Sequence, residues 1–322
     1  MPFNWYISIK LFRSNVHIKK WNQIKDNLEM FYGRDIQQII NWKDEKNIAA
    51  IYIKERSLTR STTWADRLLI DGRKFVIGEG YLGEGFFGVN ILDLSVYPHG
   101  IVAGSTSSGK SALMRLIAHQ AILKGYNLSI LDFKSGGDFA STERDYCSHN
   151  NLETGQSTLV ISEPDGARAL LKELVAETAK RMSLIKNANA TNIDEYNKLG
   201  SDYLNTWILI IDETAEILDV KPKDKDEKEL YIDIEQSLKT LARTSRAAGI
   251  HIFLGIIRPD SNVIDGQIKN NMLWRACGYF ADPAASRIVI DNDKATKLPP
   301  DIKGRFIIGD NEVQVYYLPT TR

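Results

Sequence analysis

The sequence predicts an α/β fold in which a parallel sheet flanked by helices follows a smaller N-terminal α+β domain. Three observations predict this fold. From about Asp93 onward, short apolar runs alternate with helical patterns, as in parallel sheets whose strands are connected by helices. A glycine-containing loop stands between the first of these runs and a helical segment. Residues 1–90 instead mix aromatic, aliphatic and basic residues with glycine-interrupted runs, so we predict two domains, at 1–90 and 91–322.

The N-terminal region is predicted to hold a helix near Trp21–Ile40 and a strand over 48–53. Up to Arg60 it contains 11 Lys and Arg residues against 6 Asp and Glu residues. This surplus fits either an ordinary solvated face or a surface for nucleic acid or an acidic partner, and a protein partner of residues 1–60 stays open. Further on, the spacing Gly78-x-Gly80-x-x-Gly83 resembles a nucleotide loop, but no clear helix follows, so we interpret it as a turn between strands.

The loop over 104–111 reads Gly-Ser-Thr-Ser-Ser-Gly-Lys-Ser, a full match to the phosphate-binding P-loop G-x-x-x-x-G-K-[ST]. Its glycines let backbone N–H groups converge on phosphate oxygens, Lys110 neutralises charge and the Ser111 hydroxyl reaches Mg²⁺. An apolar strand over 98–103 precedes the loop and a helix over 112–123 follows it. The predicted nucleotide contacts are Gly104, Ser105, Thr106, Ser107, Ser108, Gly109, Lys110, Ser111 and Ala112.

A second apolar strand, over 207–211, ends in the carboxylates Asp212 and Glu213. This Walker B pattern places Asp212 beside the metal and its waters, while Glu213 polarises the attacking water. Ser111 and Asp212 are therefore the predicted Mg²⁺ ligands, and Lys110, Asp212 and Glu213 are predicted catalytic residues. No Asn-Lys-x-Asp motif for guanine occurs, which favours ATP as the nucleotide.

Further strands are predicted at 128–132, 158–161, 250–257 and 275–280, together with a long helix over 166–186. The mixed-charge run around Pro222, over 219–229, is predicted to be a solvated loop.

Composition adds limits to this interpretation. The 322 residues carry 41 basic and 41 acidic side chains, so a globally basic nucleic-acid binder is not indicated, although a local basic surface is compatible with the balance. The two cysteines are far apart and lack metal-ligand spacing, which argues against disulfides or a zinc site. No apolar run reaches membrane-spanning length and the start lacks a signal-peptide pattern, so we predict a cytoplasmic protein.

Several ordered motifs identify a resemblance. They are Leu-Ala-Arg-Thr-Ser-Arg-Ala-Ala-Gly-Ile-His-Ile at 241–252, Arg-Pro-Asp at 258–260, the run at 263–271, Ala-Asp-Pro-Ala-Ala-Ser-Arg at 281–287 and Lys-Gly-Arg at 303–305. Together they resemble the FtsK/SpoIIIE family of RecA-like DNA translocases over about Phe75 to Leu318.

The resemblance implies a RecA-like P-loop ATPase core in a homo-oligomeric, usually hexameric, ring that hydrolyses ATP between subunits and moves double-stranded DNA through its pore. By position it implies that Arg246 is an arginine finger, which stabilises charge on a neighbour's γ-phosphate. Arg258 and Lys269 match positions that contact the DNA backbone in the family.

Two departures from the family accompany these matches. Pro283 stands where the family has a third basic residue, and Ile256-Ile257 replaces a Thr-Gln pair whose Gln senses hydrolysis. Since isoleucine donates no side-chain hydrogen bond, the second departure predicts that nucleotide binding survives while hydrolysis becomes slow or depends on a partner.

Three functions follow as hypotheses. The first is an ATP-driven translocase of double-stranded DNA in a plasmid, phage or conjugative setting. The second is a secretion or coupling ATPase with protein cargo, similar to EssC. The third is an assembly factor gated by ATP with little hydrolysis.

Overall fold

The computed structural model describes residues 7–13, 16–32, 36–43, 45–54, 58–82, 86–133, 137–151, 159–200, 202–260 and 266–319. In this part of the chain the α/β class is confirmed: a large mixed sheet has helices on both faces, and a small separate sheet precedes it.

The small sheet is antiparallel, with strand order β1-β3-β2. Its elements are β1 (Ile7–Arg13), α1 (Ile18–Gln23), α2 (Lys25–Tyr32), β2 (Ile36–Trp42) and β3 (Glu45–Lys54). The helix predicted near Trp21–Ile40 is therefore wrong beyond Tyr32. The β-branched residues Ile36 and Ile39 are buried against Ile51 in β2–β3 pairing, and this packing decides for a strand.

The large sheet has 11 strands, ordered β6-β5-β14-β13-β12-β7-β11-β10-β8-β9, with β4 beside β14. The strands are β4 (Thr62–Thr63), β5 (Lys74–Leu82), β6 (Phe86–Asp93), β7 (Gly100–Ala103), β8 (Asn127–Leu131), β9 (Val160–Ile161), β10 (Trp207–Ile211), β11 (Ile250–Ile256), β12 (Trp274–Gly278), β13 (Arg305–Ile308) and β14 (Asn311–Tyr317). The six from β12 to β9 run parallel, whereas β13, β14, β5 and β6 join by antiparallel pairing. The predicted parallel sheet is thus one part of a mixed sheet and extends to its β9 edge.

The helices of this part are α3 (Lys110–Leu123), α4 (Ala140–His149), α5 (Pro164–Asn187), α6 (Ile193–Lys198), α7 (Ala215–Leu218), α8 (Lys225–Thr244), α9 (Gly266–Asn271) and α10 (Pro283–Ile290). Helices α5, α8, α9 and α10 pack against one face of the sheet, and α3 packs against the other. Two apolar cores result, one on each side of the strands.

Three expectations along the chain need correction or comment. Strands β5 and β6 lie almost entirely before the boundary predicted at residue 90, yet β5 pairs with β14 of the large sheet, so the two-domain division stays a prediction.

The turn predicted at Gly78–Gly83 is wrong for Gly78 and Gly80, which lie in β5, while Gly83 is outside the described residues. A Cβ on Gly78 would lie 2.2 Å from the Gln314 carbonyl oxygen, so close strand approach explains that glycine.

The loop predicted over 219–229 is wrong from Lys225 onward, where α8 begins. The Asp224 carboxylate accepts a hydrogen bond from the Glu227 N–H (2.8 Å), and two acidic residues follow in the first turn. This N-cap stabilises a helix start inside a charge-rich run.

Both cysteines, Cys147 and Cys277, are buried free thiols, and burial raises the pKa of the Cys277 thiol to about 12. None of the helices in the described ranges is long and apolar enough to cross a bilayer.

Two buried histidines connect the start of β7 to β11. His99 Nδ1 accepts a hydrogen bond from the Ile252 N–H (3.1 Å), and His251 Nδ1 lies 2.8 Å from the Pro98 carbonyl oxygen. Burial, with a smaller contribution from Arg246, lowers the pKa of His99 to about 4, and burial lowers the pKa of His251 well below its usual value. Both rings are therefore neutral in the folded protein near neutral pH.

These histidines predict a loss of stability in acid. The unfolded chain takes up protons on them below about pH 6.5, whereas folded His99 resists protonation until about pH 4, so the free energy of unfolding falls across that window. Through His99 alone, the free energy of unfolding falls by an amount on the order of 3 kcal/mol by pH 4. In His99→Asn the amide oxygen can still accept the Ile252 N–H. We expect its free energy of unfolding, measured with urea, to fall less between pH 7 and pH 5 than that of the wild type.

The control for this measurement is His149→Asn, at an exposed position on α4. An equal pH dependence in His99→Asn and His149→Asn would contradict the assignment to the buried ring.

Candidate nucleotide site

The P-loop begins where β7 ends and is fixed by the ends of the neighbouring strands. The Gly104 N–H donates to the Ile256 carbonyl (3.1 Å), and both the N–H and the hydroxyl of Ser105 donate to the Tyr279 carbonyl (3.1 and 2.8 Å). A Cβ on Gly104 would lie 2.9 Å from Ser108 Cβ and 3.4 Å from Gly278 Cα, so glycine allows the close approach of these segments. The loop thus stands at the carboxyl edge of the parallel strands, where ligands of α/β sheets bind.

The loop curls through two left-handed residues, Ser107 (φ 68°) and Gly109 (φ 104°). The Gly304 N–H donates to the Ser108 carbonyl (2.8 Å), and a Cβ on Gly109 would lie 2.7 Å from the Gly304 nitrogen. Positive φ values in such a turn direct successive N–H groups into one concavity, the geometry that binds anions. Because α3 starts at Lys110, its N-terminal N–H groups and dipole add to this preference for phosphate.

Lys110, Ser111 and Asp212 meet directly beside the loop. Lys110 is 5% exposed, and its ammonium lies 2.7 Å from Asp212 Oδ1 and also donates to the Asp212 carbonyl. The Ser111 hydroxyl lies 3.4 Å from Asp212 Oδ1 and 3.1 Å from Asp138 Oδ2. A serine hydroxyl next to a carboxylate is the oxygen donor set that Mg²⁺ prefers. Asp138 is an acidic neighbour that the sequence motifs did not indicate.

Glu213 is buried beside Asp212 and is positioned by β11. Its carboxylate accepts a hydrogen bond from the Ile257 N–H (3.3 Å), and the next residue, Thr214, donates its N–H to the Gly255 carbonyl (2.9 Å). A Cβ on Gly255 would lie 2.0 Å from the Asp212 carbonyl oxygen, so glycine allows this close approach. The backbone of residue 257 therefore holds Glu213, while the Ile257 side chain lines the cavity.

A cavity of about 830 Å³ opens over the P-loop. Its lining includes the loop with Lys110, Ser111 and Ala112, together with three separate stretches of chain. Those stretches are Arg60 and Ser61, then residues 301–304, then residues 314–317. Sequence motifs identified the loop; of the three stretches, only Lys303-Gly304 belonged to a recognised motif, and nothing indicated Arg60.

Arg246 lies away from this site. It precedes β11, whereas Glu213 and the P-loop follow the ends of β10 and β7, so Arg246 occupies the opposite edge of the sheet. Its side chain is exposed and donates to the Ser95 carbonyl (2.9 Å). An arginine at this edge cannot serve the chain's own P-loop, which is compatible with action on another subunit.

The two predicted DNA contacts differ in their surroundings. Arg258 is exposed just after the β11 end. The Lys269 ammonium lies 2.6 Å from Asp291 Oδ1, and Arg275 lies 2.7 Å from the other oxygen of the same carboxylate. Hydrogen bonding to Lys269 and the charges of Lys269 and Arg275 hold the pKa of Asp291 below its usual value. Arg258 is thus the more available of the two cations; both remain predictions as DNA contacts.

A family model described as FtsK/SpoIIIE family matches residues 78–261, which include the P-loop, the Walker B strand, Arg246 and Arg258. The chain belongs to the FtsK/SpoIIIE family. The resemblance identified from the sequence is thereby confirmed, and with it the P-loop ATPase fold.

Among curated relatives, the DNA translocase SftA of Bacillus subtilis (strain 168) is 30% identical over 217 residues, which are 65% of this chain and 21% of SftA. The DNA translocase FtsK of Oceanobacillus iheyensis is 28% identical over 273 residues, 79% of this chain and 31% of that protein. The chain therefore spans about a fifth to a third of these FtsK/SpoIIIE relatives.

Among solved structures, the pCW3 conjugation coupling protein TcpA, in its monomer form with ATPγS, has a TM-score of 0.74 and 36% identity. The alignment covers 97% of this chain and 85% of TcpA. EssC from Geobacillus thermodenitrificans (ATPases 2 and 3) has a TM-score of 0.63 and 20% identity, over 83% of this chain and 48% of EssC. The EssC similarity shows the fold alone.

Proposed function

We propose that this chain is an ATPase that couples ATP hydrolysis to the translocation of double-stranded DNA, acting as a homo-oligomeric, hexameric ring. The observation that carries the proposal is the convergence of Lys110, Ser111, Asp212 and Glu213 at one edge of the sheet, beside a loop shaped for phosphate. Membership of the FtsK/SpoIIIE family supports DNA as the substrate.

The chain's own residues bind and orient the nucleotide. The N–H groups of residues 106, 107 and 109 and of the first turn of α3 receive the phosphates, because those of Ser105 and Ser108 are bonded to carbonyls. The Lys110 ammonium exchanges part of its bonding to Asp212 for phosphate oxygens. Ser111 and Asp212 would hold Mg²⁺, which neutralises charge on the phosphate oxygens when it is bound. Glu213, held by the Ile257 N–H, orients a water and accepts its proton.

Ile257 limits this site in a specific way. Its side chain lines the cavity but offers no hydrogen bond to phosphate or water, so any signal from this residue passes through its backbone bond to Glu213. We infer that turnover without DNA is low, and that DNA or a neighbouring subunit raises it.

DNA is favoured over protein as the cargo. The curated relatives SftA and FtsK are named DNA translocases, whereas the similarity to EssC is confined to the fold. Arg258 offers an exposed guanidinium for the DNA backbone, a contact that needs charge and little base specificity. The extent of the match to TcpA, a conjugation coupling protein, supports a role in conjugative transfer. We further propose that the chain acts in the cytoplasm and that residues 1–60 bind a protein partner.

Steady-state ATP hydrolysis with and without linear duplex DNA tests the proposal. Lys110→Ala is expected to lower turnover by at least about 100-fold, because the phosphates lose their buried cation. We expect DNA to stimulate the wild type and not Lys110→Ala, and Arg258→Glu to reduce the stimulation.

Two outcomes would contradict this proposal. Stimulation by a peptide cargo and not by DNA would favour the secretion ATPase. ATP binding with turnover at the Lys110→Ala level, DNA present, would favour the ATP-gated assembly factor, for which the apolar Ile257 side chain is the supporting observation.

A further inference from the structure

The segment that follows the N-terminal sheet runs along the wall of the nucleotide cavity. Strand β4 pairs in parallel with the end of β14, Thr62 with Tyr316 and Thr63 with Tyr317. The Trp64 N–H then donates to the Tyr317 carbonyl (2.8 Å). We call residues 58–64 the connecting segment. Its strand β4 lies directly beside β14, whose last residues line the cavity.

One buried guanidinium fixes the connecting segment in this place. Arg305, 5% exposed, donates to the Thr59 carbonyl (2.9 Å) and to Gln314 Oε1 (2.9 Å), and it pairs with Glu312. Gln314 in turn donates to the Lys303 carbonyl (2.9 Å). A buried charge whose hydrogen bonds are satisfied is costly to disturb, so this network sets the backbone directly before Arg60 and, through Lys303, beside Gly304.

The connecting segment also contacts the helix that starts at the P-loop. The buried Trp64 ring meets the Tyr316 ring at 6.2 Å and the His119 ring of α3 at 6.4 Å, both edge to face. Such aromatic contacts favour a fixed arrangement beyond the area they bury. The segment is thus packed between α3 and β14, the two elements that flank the cavity.

Arg60 lines the cavity and pairs with Asp301, which lines it as well. Their side chains are 73% and 64% exposed, and ion pairs with such exposure contribute only about 0–1 kcal/mol. The guanidinium is held close to the cavity by its backbone, but its bond to Asp301 is weak enough for a bound ligand to replace.

The position of Arg60 indicates which part of the nucleotide it meets. The phosphates occupy the end formed by the P-loop, so the rest of the cavity, toward 301–304 and 314–317, receives the nucleoside. Ile302, Val315 and the half-exposed Tyr317 give that end apolar and aromatic surface, as nucleobases require.

We propose that Arg60 is a nucleotide-binding residue, which leaves Asp301 and contacts the ribose and base of ATP from the connecting segment. The inference rests on the proposed function, since it places ATP in this cavity. Its consequence is that ATP contacts both the motor sheet and the connecting segment.

Calorimetric binding of ATPγS to the full chain, with tripolyphosphate as a competitor, separates the nucleoside end from the phosphate end. Arg60→Ala is expected to weaken ATPγS roughly 5- to 10-fold and to leave tripolyphosphate unchanged. Asp301→Asn, which removes the competing carboxylate, is expected to bind ATPγS as well as the wild type or up to about threefold more tightly. Lys294→Ala, which breaks the exposed ion pair with Asp310 outside the cavity, is the matched control and should change neither ligand.

Three results would overturn the inference. They are unchanged ATPγS binding in Arg60→Ala, an equal loss of ATPγS and tripolyphosphate, or a loss in Asp301→Asn as large as that in Arg60→Ala. Wild-type protein that binds no ATPγS would instead defeat the proposed function, so the two failures are distinguishable.

Discussion

Replacing Arg246 by alanine is expected to reduce ATP turnover about 10³-fold or more while ATPγS binding stays within a factor of two of the wild type. Arg246 lies on the edge of the sheet opposite its own P-loop, so its removal leaves that loop, Lys110 and Asp212 untouched. In a ring whose subunits are arranged head to tail, this edge faces the next subunit's nucleotide. The guanidinium would there stabilise charge that develops on the phosphoryl group.

Mixed assemblies test the division of this site between subunits. Arg246→Ala subunits keep a complete P-loop, and Lys110→Ala subunits keep Arg246, so mixing two inactive variants should restore part of the turnover. Arg243→Ala is the matched control and should keep wild-type turnover. Arg243 is also an exposed arginine and lies in the last turn of α8, three residues before Arg246. Thermal unfolding must accompany the assay, because Arg246 also binds the Ser95 carbonyl. Absence of recovery in assemblies proven to be mixed would contradict the trans assignment.

The parts of the site that the sequence predicted are those that depend on local geometry. A P-loop is a contiguous turn whose glycines and lysine have fixed roles, and Asp212 and Glu213 follow a strand apolar enough to be placed in a parallel sheet. Parallel strands place their carboxyl ends at one edge of the sheet. Lys110 is therefore predicted to lie beside Asp212, although about a hundred residues separate the two in the sequence.

The parts that the sequence did not predict depend on pairing between distant segments. Strands β5 and β14 are joined by backbone hydrogen bonds, which leave no residue pattern specific to that partnership. Arg60 reaches the cavity only because Thr62 and Thr63 pair with residues about 250 positions later. The ion pair between Lys269 and Asp291 was not predictable from the sequence either, because it also joins separate segments. It makes Lys269 less available as a DNA contact.

Glu213→Gln is expected to lower ATP turnover by about 10² to 10⁴ while ATPγS binding remains near the wild-type value. The glutamine amide oxygen can still accept the Ile257 N–H, so the side chain keeps its place, but it no longer takes a proton from water. The measurement is single-turnover hydrolysis together with calorimetric binding. The variant should accumulate bound, unhydrolysed ATP.

Glu216→Gln provides the control, because Glu216 is exposed on α7 only three residues later, whereas Glu213 is buried. It should hydrolyse ATP at the wild-type rate. If Glu213→Gln kept more than about a tenth of that rate, the proton would have to pass to another group. The hydrogen bond from the Ile257 N–H to Glu213 would then have a structural role only, as a contact between the residues that follow β10 and β11.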